Sequence, residues 1–487
     1  MNKKVILIRI NNPEDMKIAP MGLLYIGGAL KKAGFDVKIN HLNSHTYFSK
    51  AKEIAEENPL FIGFSVITGE QVKYAALFSK ELKKINPNLK IVWGGVHSSL
   101  LPGQCASESY IDYVVIGEGE ETIVELAKKL QNSEKIQDIR NLAFKNKDKI
   151  VVNPLRPLIE NLDKYELDYS LVNIEDYLDS QWDSDRILTF ITSRGCIFNC
   201  NFCYNQKFNQ RRWRPHSEKY VINSINKIKE KYKIDGIRFQ DDFLFANPTR
   251  AVNIVKSVNL PWRGEMTIRT VMNNPNIYKT LTETRCREAF FGFESGNDRV
   301  LKMINKQQTV AEIRKAVEIL AKGKGYHIDG SFILGLPGET KQEVYDTIDF
   351  ALDMLKITPE LRYTFGFYLP YPGTVLYDTA VKMGFNPPKK TEDWEIVDRW
   401  TNKMKLTWLD WTDSSDFFFR IRQYMNLLPL KDLKIPFIKD IPEKRLRTKD
   451  FSHTMELKIL TALQRRFANR QSLFRRAVQA TLPFIKK

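Results

Sequence analysis

The chain has 487 residues, 43% of them hydrophobic and 27% charged, with a formal net charge of +17. That balance excludes a disordered chain, and the length exceeds one ordinary core, so two or three domains are expected. Five cysteines in so long a chain exclude a disulfide scaffold, and no apolar run reaches membrane-spanning length. Val5–Ile10 reads as a first strand; a loop holding Pro13 and Pro20 then leads into a helix over Met21–Ala33 that stops at Gly34. Strands follow at Val37–His41, Phe61–Ile67, Ile91–Trp93 and Tyr113–Ile116, with a helix over Val72–Ile85 between Phe61–Ile67 and Ile91–Trp93. This alternation predicts a five-stranded parallel sheet with helices on both faces, a flavodoxin-like or Rossmann-like domain over residues 1–145. Ligands of such sheets lie beyond the carboxyl ends of the strands, which gathers Ser65–Gly69, Gly94–Ser99 and Gly117–Glu120.

Residues 146–184 read as a connector. Six further strands are expected at Ile187–Thr192, Gly236–Gln240, Gly264–Arg269, Ala289–Phe293, Gly330–Leu334 and Leu361–Phe367. Each is followed by a helical stretch, which predicts a partial (β/α)6 barrel of TIM type over residues 185–400. Residues 401–487 read as a helical, basic C-terminal region.

The first barrel strand runs straight into Cys196-Ile-Phe-Asn-Cys200-Asn-Phe-Cys203. Thiolates at this spacing suit three irons of a 4Fe–4S cubane, and no fourth cysteine follows to close the last iron. An open iron implies a bound small molecule and chemistry. Structural zinc would want two paired ligand sets, and His216 stands alone. Cys105 and Cys286 read as isolated core residues.

The triplet, with Phe202 before its last cysteine, resembles the radical S-adenosylmethionine (SAM) superfamily. So do Gly292-Phe293-Glu294-Ser295-Gly296 after the fourth barrel strand and Gly335-Leu336-Pro337-Gly338-Glu339-Thr340 after the fifth, with Tyr371-Pro372-Gly373-Thr374 near the barrel's end. The resemblance implies that Cys196, Cys200 and Cys203 hold the cluster. It implies further that the open iron chelates SAM and that reductive cleavage yields a 5′-deoxyadenosyl radical. Gln240-Asp241-Asp242 departs from the family's usual Gly-Gly-Glu-like segment and looks like the cobalamin-binding branch; Asp241 is the candidate for the SAM ammonium group. Glu294 and Ser295 are candidates for the ribose and Arg269 for the SAM carboxylate.

The N-terminal segments Ala19-Pro20-Met21-Gly22-Leu23, Gly94-Gly95-Val96-His97 and Ile116-Gly117-Glu118-Gly119-Glu120 resemble the cobalamin-binding domain of that branch. Ser65, Gly94, Gly95, Gly117, Glu118 and Gly119 are the expected cobalamin contacts, and His97 reads equally as a hydrogen-bonding loop residue near the nucleotide tail or as a satisfied core histidine. No Asp-x-His-x-x-Gly occurs, so Ile67, Thr68 and Gly69 are candidates for the lower face of the corrin.

The expected cofactors are thus a 4Fe–4S cluster, SAM and cobalamin, and the expected activity is methyl transfer to an unactivated carbon. Two alternatives stand beside it: an oxidative cyclase or rearrangement enzyme of the same branch, and a non-catalytic cluster-bearing sensor or scaffold. A small molecule or lipid is the expected substrate, with Tyr204, Tyr368 and Tyr371 as pocket candidates, and a flavodoxin or ferredoxin is the expected electron donor. Reduced thiols and the lack of a secretory leader point to the cytoplasm. The tail places Leu457, Leu460, Leu463, Phe467, Leu473 and Phe474 among Arg465, Arg466, Arg470, Arg475 and Arg476. It reads first as a helix packing on the barrel, second as a basic helix on the inner membrane surface, and third, without a recognition module, as a nucleic-acid binder.

Overall fold

The computed structural model describes residues 2–13, 16–398, 404–412, 414–428, 440–453 and 455–462. The arginine-rich stretch from residue 463 onward lies outside the described residues.

Two seven-stranded sheets organise the chain. In the first, β1 (Lys4–Asn11), β2 (Asp36–Asn43), β3 (Phe61–Ser65), β4 (Ile91–Gly94) and β5 (Tyr113–Val115) run parallel in the order β2-β1-β3-β4-β5. Val5, Ile6, Leu7 and Ile8 of β1 are all buried, as expected of a strand covered by helices on both faces. The order reverses between β1 and β3, and this switch point opens the crevice where ligands bind in such sheets. An antiparallel hairpin, β6 (Leu142–Asn146) and β7 (Lys149–Val152), extends the edge. The sheet therefore runs past residue 145, where the sequence reading ended the first domain, because the hairpin pairs backbone with β5 rather than acting as a connector.

In the second sheet six parallel strands curl into a half-barrel: β9 (Ser184–Phe190), β12 (Gly236–Phe239), β13 (Trp262–Met266), β14 (Cys286–Glu294), β15 (His327–Leu334) and β16 (Leu361–Phe367). A short antiparallel strand, β8 (Asp179–Gln181), closes one edge. Between β9 and β12, a ribbon of two-residue strands, β10 (Ser193–Arg194) and β11 (Arg214–Pro215), forms the base of the cysteine loop. The helices at Val310–Leu320 and Lys341–Met354 start from complete capping boxes, Thr309 with Glu312 and Thr340 with Glu343. Thr340 of the Gly-Leu-Pro-Gly-Glu-Thr segment thus ends a turn and begins a helix.

The strand expected over Gly264–Arg269 ends at Met266. Thr267 caps a following helix, Ile268–Asn273, by accepting from Thr270 N, so Arg269 lies in a helical turn.

Two pieces of the C-terminal part fold back. Residues 391–396 pack Trp394, 1% exposed, onto the first domain, with Lys80–Glu392 at 2.8 Å and Lys73–Glu395 at 2.7 Å. The helix Asp416–Leu427 covers the β16 edge, packing the Phe419 ring tilted against Phe367. In the described part of the tail Leu457 and Leu460 are buried while Met455 and Ile459 are exposed. Among the described residues no helix is long and apolar enough to cross a membrane.

Candidate functional site

The cysteine loop is tied down on three sides. At its start Gly195 has φ +85, and a Cβ there would overlap the Arg212 carbonyl, so only glycine fits. Gly195 N donates to Asp242 at 2.9 Å. In the middle, Asn201 N donates to Ile304 O at 2.9 Å and its Nδ2 to Met303 O at 2.8 Å, while Asn305 Nδ2 returns to Asn199 O at 2.7 Å. Leu376 N donates to Asn201 O at 3.0 Å. The asparagines between the cysteines are therefore the loop's anchors.

Cys196, Cys200 and Cys203 are half-buried and free. Burial pushes the Cys196 and Cys203 thiols up, to about 11 and about 12, and raises Cys200 too. Bare, these are protonated thiols; a bound metal would displace the protons. Among the described residues no three His, Cys, Asp or Glu side chains are gathered as a mononuclear site would gather them. A cubane instead spreads its thiolates over separate corners, and this loop fits that donor set.

Opposite the loop, Glu294 ends β14 at φ +65, an unfavourable backbone for a non-glycine residue. Its Oε1 accepts from Lys306 Nζ at 2.7 Å. Lys306 loses solvation on burial, but Glu294 and the nearby Cys200 and Cys203 outweigh this and raise its pKa. A Cβ at Gly292 would collide with both partners, so that glycine makes room for the pair. Ser295, in contrast, is fully buried and bonded to Thr347 Oγ1 at 3.1 Å, a structural contact rather than a ligand contact.

Asp241 is corrected in the same way. It is 2% exposed, and its carboxylate accepts from Thr192 N, from Thr192 Oγ1 at 2.7 Å and from Ser193 Oγ at 2.5 Å. Gln240 and Asp242, its chain neighbours, reach the cavity instead. Confinement raises the Asp242 pKa against the bonds from Asn205 and Gly195. Glu265, in the middle of β13, is pushed up to about 7 chiefly by burial, with Asp242 and Asp241 adding to the shift. Arg269 is exposed beside the loop, its guanidinium 5.7 Å from the Phe198 ring.

The cavity itself, about 510 Å³, lies between the two sheets. From the first domain Ser65, Ile67, Gly94, Gly95, Gly117, Glu118 and Gly119 line it, and from the second Ser193, Arg194, Tyr204, Gln240 and Asp242. A slot runs inward between sheet and helices past Leu7, Leu23, Val92 and Ile123. An apolar slot opening into a polar mouth suits a large ring system with an aromatic tail.

Three expected contacts lie outside it. His97 is fully buried against Trp394 and bonds Thr68 Oγ1 at 3.1 Å; burial lowers its pKa to about 3, and it belongs to the core. Thr68 is spent on that bond, and Gly69 faces Asp398. Of the lower-face candidates, Ile67 alone lines the cavity. Among the aromatics, Tyr204 lines the cavity with the Tyr371 ring tilted against it at 5.9 Å, whereas Tyr368 is 2% exposed and packs on Trp408. Lys306, Asn201 and Glu265 were missed by the sequence reading, which named the Asp241-Asp242 pair but chose Asp241 of the two. Lys306 and Asn201 belong to short segments that only the folded chain brings together.

Comparisons with known proteins agree with this architecture. Residues 15–127 match the family model of the B12 binding domain, and residues 190–351 that of the radical SAM superfamily. An uncharacterized methyltransferase of Pyrococcus horikoshii is 34% identical over 372 residues, covering 74% of this chain and 78% of the relative. The anaerobic magnesium-protoporphyrin IX monomethyl ester cyclase of Cereibacter sphaeroides is 27% identical over 373 residues, covering 74% and 60%. The solved structure of the radical SAM methyltransferase TsrM from Kitasatospora setae, with cobalamin and a 4Fe–4S cluster bound, shares the fold. It has a TM-score of 0.64 at 17% identity, over 80% of this chain and 76% of that one. Fold and site define a radical SAM enzyme with a corrin-binding domain at its N-terminus. The chain belongs to the cobalamin-dependent radical SAM enzymes, and its cofactors are a 4Fe–4S cluster, SAM and cobalamin.

Proposed function

We propose that this enzyme transfers a methyl group to an unactivated carbon of a small-molecule substrate. The observation that carries the reading is the single cavity shared by the strand ends of the first sheet and by Gln240, Asp242 and Tyr204 at the mouth of the half-barrel. A corrin held on one side would face SAM and substrate on the other without intervening protein. When bound, the cluster supplies the electron that cleaves SAM, and cobalamin carries the methyl group.

The chain's own part is to hold and orient. Cys196, Cys200 and Cys203 would take three irons, leaving the fourth to the amino-acid end of SAM. Asp242 would receive the SAM ammonium in a charge-assisted bond, taking over the role first given to Asp241. Lys306 would neutralise the SAM carboxylate, with Arg269 the outer cation. Glu294, pinned by Lys306 at 2.7 Å, would present its other oxygen to the ribose hydroxyls. Ser65, Gly94, Gly95, Gly117 and Gly119 would let the corrin approach the backbone closely, and Ile67 would give cobalt an apolar lower face. The domain division that supports this is a corrin domain through the β6–β7 hairpin, a radical SAM half-barrel to about residue 398 and a helical cover beyond.

The similarity to a ring-forming cyclase favours one second reading, in which the same radical is used without methyl transfer. Anaerobic turnover with methyl-labelled SAM decides: labelled product is expected, and deoxyadenosine without labelled product would move the enzyme to the cyclase group. We also propose a flavodoxin or ferredoxin as electron donor, a lipid or other acidic molecule as substrate class, and a cytoplasmic enzyme whose basic tail touches anionic membrane. Flotation with anionic vesicles, comparing full-length and tail-deleted protein, tests the last; equal recovery rejects it.

A further inference from the structure

The glutamates of Gly117-Glu118-Gly119-Glu120 do not point to solvent. Glu118 Oε1 accepts from Arg194 Nη1 at 2.8 Å, and its Oε2 accepts from Arg214 Nη1 at 2.7 Å and from Ile159 N at 2.8 Å. Glu120 Oε1 takes Arg194 Nη2 at 2.6 Å. The Tyr25 ring lies under the Arg194 guanidinium, 4.4 Å from its carbon. The side chains of Glu118, Glu120 and Arg214 are 6%, 4% and 4% exposed, so these pairs are shielded from screening by solvent.

Arg194 and Arg214 face each other across the β10–β11 ribbon. Every residue of the cysteine loop lies between them, with Gly195 and Cys196 following Arg194 directly. One carboxylate from the first domain therefore grips both legs of the loop. Glu118, Gly119, Glu120, Tyr25 and Arg194 are also walls of the cavity assigned to cobalamin.

We propose that Glu118 is a positioning residue that couples occupancy of the corrin cavity to the geometry of the cluster loop. A ligand filling the cavity presses on the Gly117–Glu120 turn, and the bidentate grip carries that constraint to the base of the loop holding Cys196. The coupling is reciprocal, so an assembled cluster also favours corrin binding. This inference rests on the cavity holding cobalamin, and on nothing about which substrate is methylated.

The test uses the full-length enzyme with its cluster reconstituted anaerobically. The rate of iron loss to a ferrous chelator is measured with and without hydroxocobalamin, and corrin binding is followed by absorbance. In the wild type cobalamin is expected to slow iron loss at least about fivefold. Glu118→Gln keeps shape but loses the charge, and is expected to abolish that protection while both cofactors still bind. Arg214→Lys, which keeps charge but not the fork, should give an intermediate value. Lys80→Ala, which breaks a domain contact remote from the loop, should behave as wild type; equal loss of protection there would mean general loosening and overturn the proposal. Bound cobalamin that leaves wild-type iron loss unchanged would overturn it without any variant. Failure of the wild type to take up corrin at all would instead overturn the cobalamin assignment beneath it.

Discussion

Lys306 Nζ and Glu294 Oε1 stand 2.7 Å apart in a pair whose side chains are 17% and 7% exposed. Removing one partner of a buried pair leaves an uncompensated charge, costing about 3–5 kcal/mol. Lys306→Met should therefore lower stability by about 3 kcal/mol, at the lower edge of that range because some exposure remains. It should also weaken SAM binding about tenfold or more, whereas Lys306→Arg recovers part of both. Denaturant titration and equilibrium dialysis with SAM measure the two effects. Wild-type affinity in the Met variant would remove Lys306 from the SAM site.

Adjacent aspartates are expected to part company. Asp241 accepts from the backbone and side chain of Thr192 and from Ser193, and an amide there would set N–H against N–H. Asp241→Asn should unfold at clearly lower temperature, by the equivalent of about 1–3 kcal/mol per orphaned donor. Asp242→Asn should melt almost as wild type yet bind SAM poorly. The reverse pattern would restore Asp241 as the ligand.

Single alanine substitutions at Cys196, Cys200 or Cys203 should each abolish the visible absorbance of the reconstituted cluster and most bound iron. Cys105→Ala and Cys286→Ala should not, since both thiols are buried in the core. Iron and sulfide analysis reads the difference, and a cluster surviving in a loop variant would contradict the assignment.

Gly195→Ala combines a disfavoured φ of +85 with a clash on the Arg212 carbonyl. The conformation alone costs about 1–2 kcal/mol. We expect slower cluster assembly as well as a lower Tm; an alanine variant that reconstitutes at the wild-type rate would show that the turn can relax.

Glu339 gives a pH signature. Its Oε2 accepts from Gly335 N at 2.6 Å and Leu336 N at 3.0 Å, its Oε1 is buried without a partner, and burial pushes its pKa up to about 8 from 4.5. The folded state thus binds the proton more tightly than the unfolded chain. That contribution to stability is whole below pH 4.5 and declines as pH rises to about 8, by a few kcal/mol at most. Glu339→Gln, permanently neutral, should flatten the decline. His97, lowered to about 3, acts oppositely, removing stability as pH falls below 6.5. Melting curves from pH 5 to pH 8 on wild type and the Gln variant are the check; identical slopes would mean that Glu339 is ionised throughout.

What the sequence determined by itself was local. Alternating apolar runs and turns specify which segments are strands, and Leu361–Phe367 matches to the residue because a strand's pattern is written within its own length. The cysteine spacing likewise reveals its donor set without a fold, since all three thiols lie within one loop. Glycine-bearing strand ends point to the cavity for the same reason: in a parallel sheet they must fall on one edge.

What the tertiary structure decided was which of several plausible side chains faces the ligand. Asp241 and Asp242 are indistinguishable in sequence, and only the hydrogen bonds from Thr192 and Ser193 bury the first and leave the second at the cavity. His97 reads in sequence as either a loop residue near the ligand or a core histidine, and Trp394, nearly three hundred positions later, decides for the core by closing over it. Glu118 reads as a corrin contact, yet its oxygens are committed to Arg194 and Arg214. Burial and partner choice depend on residues remote along the chain, and no local pattern carries that information.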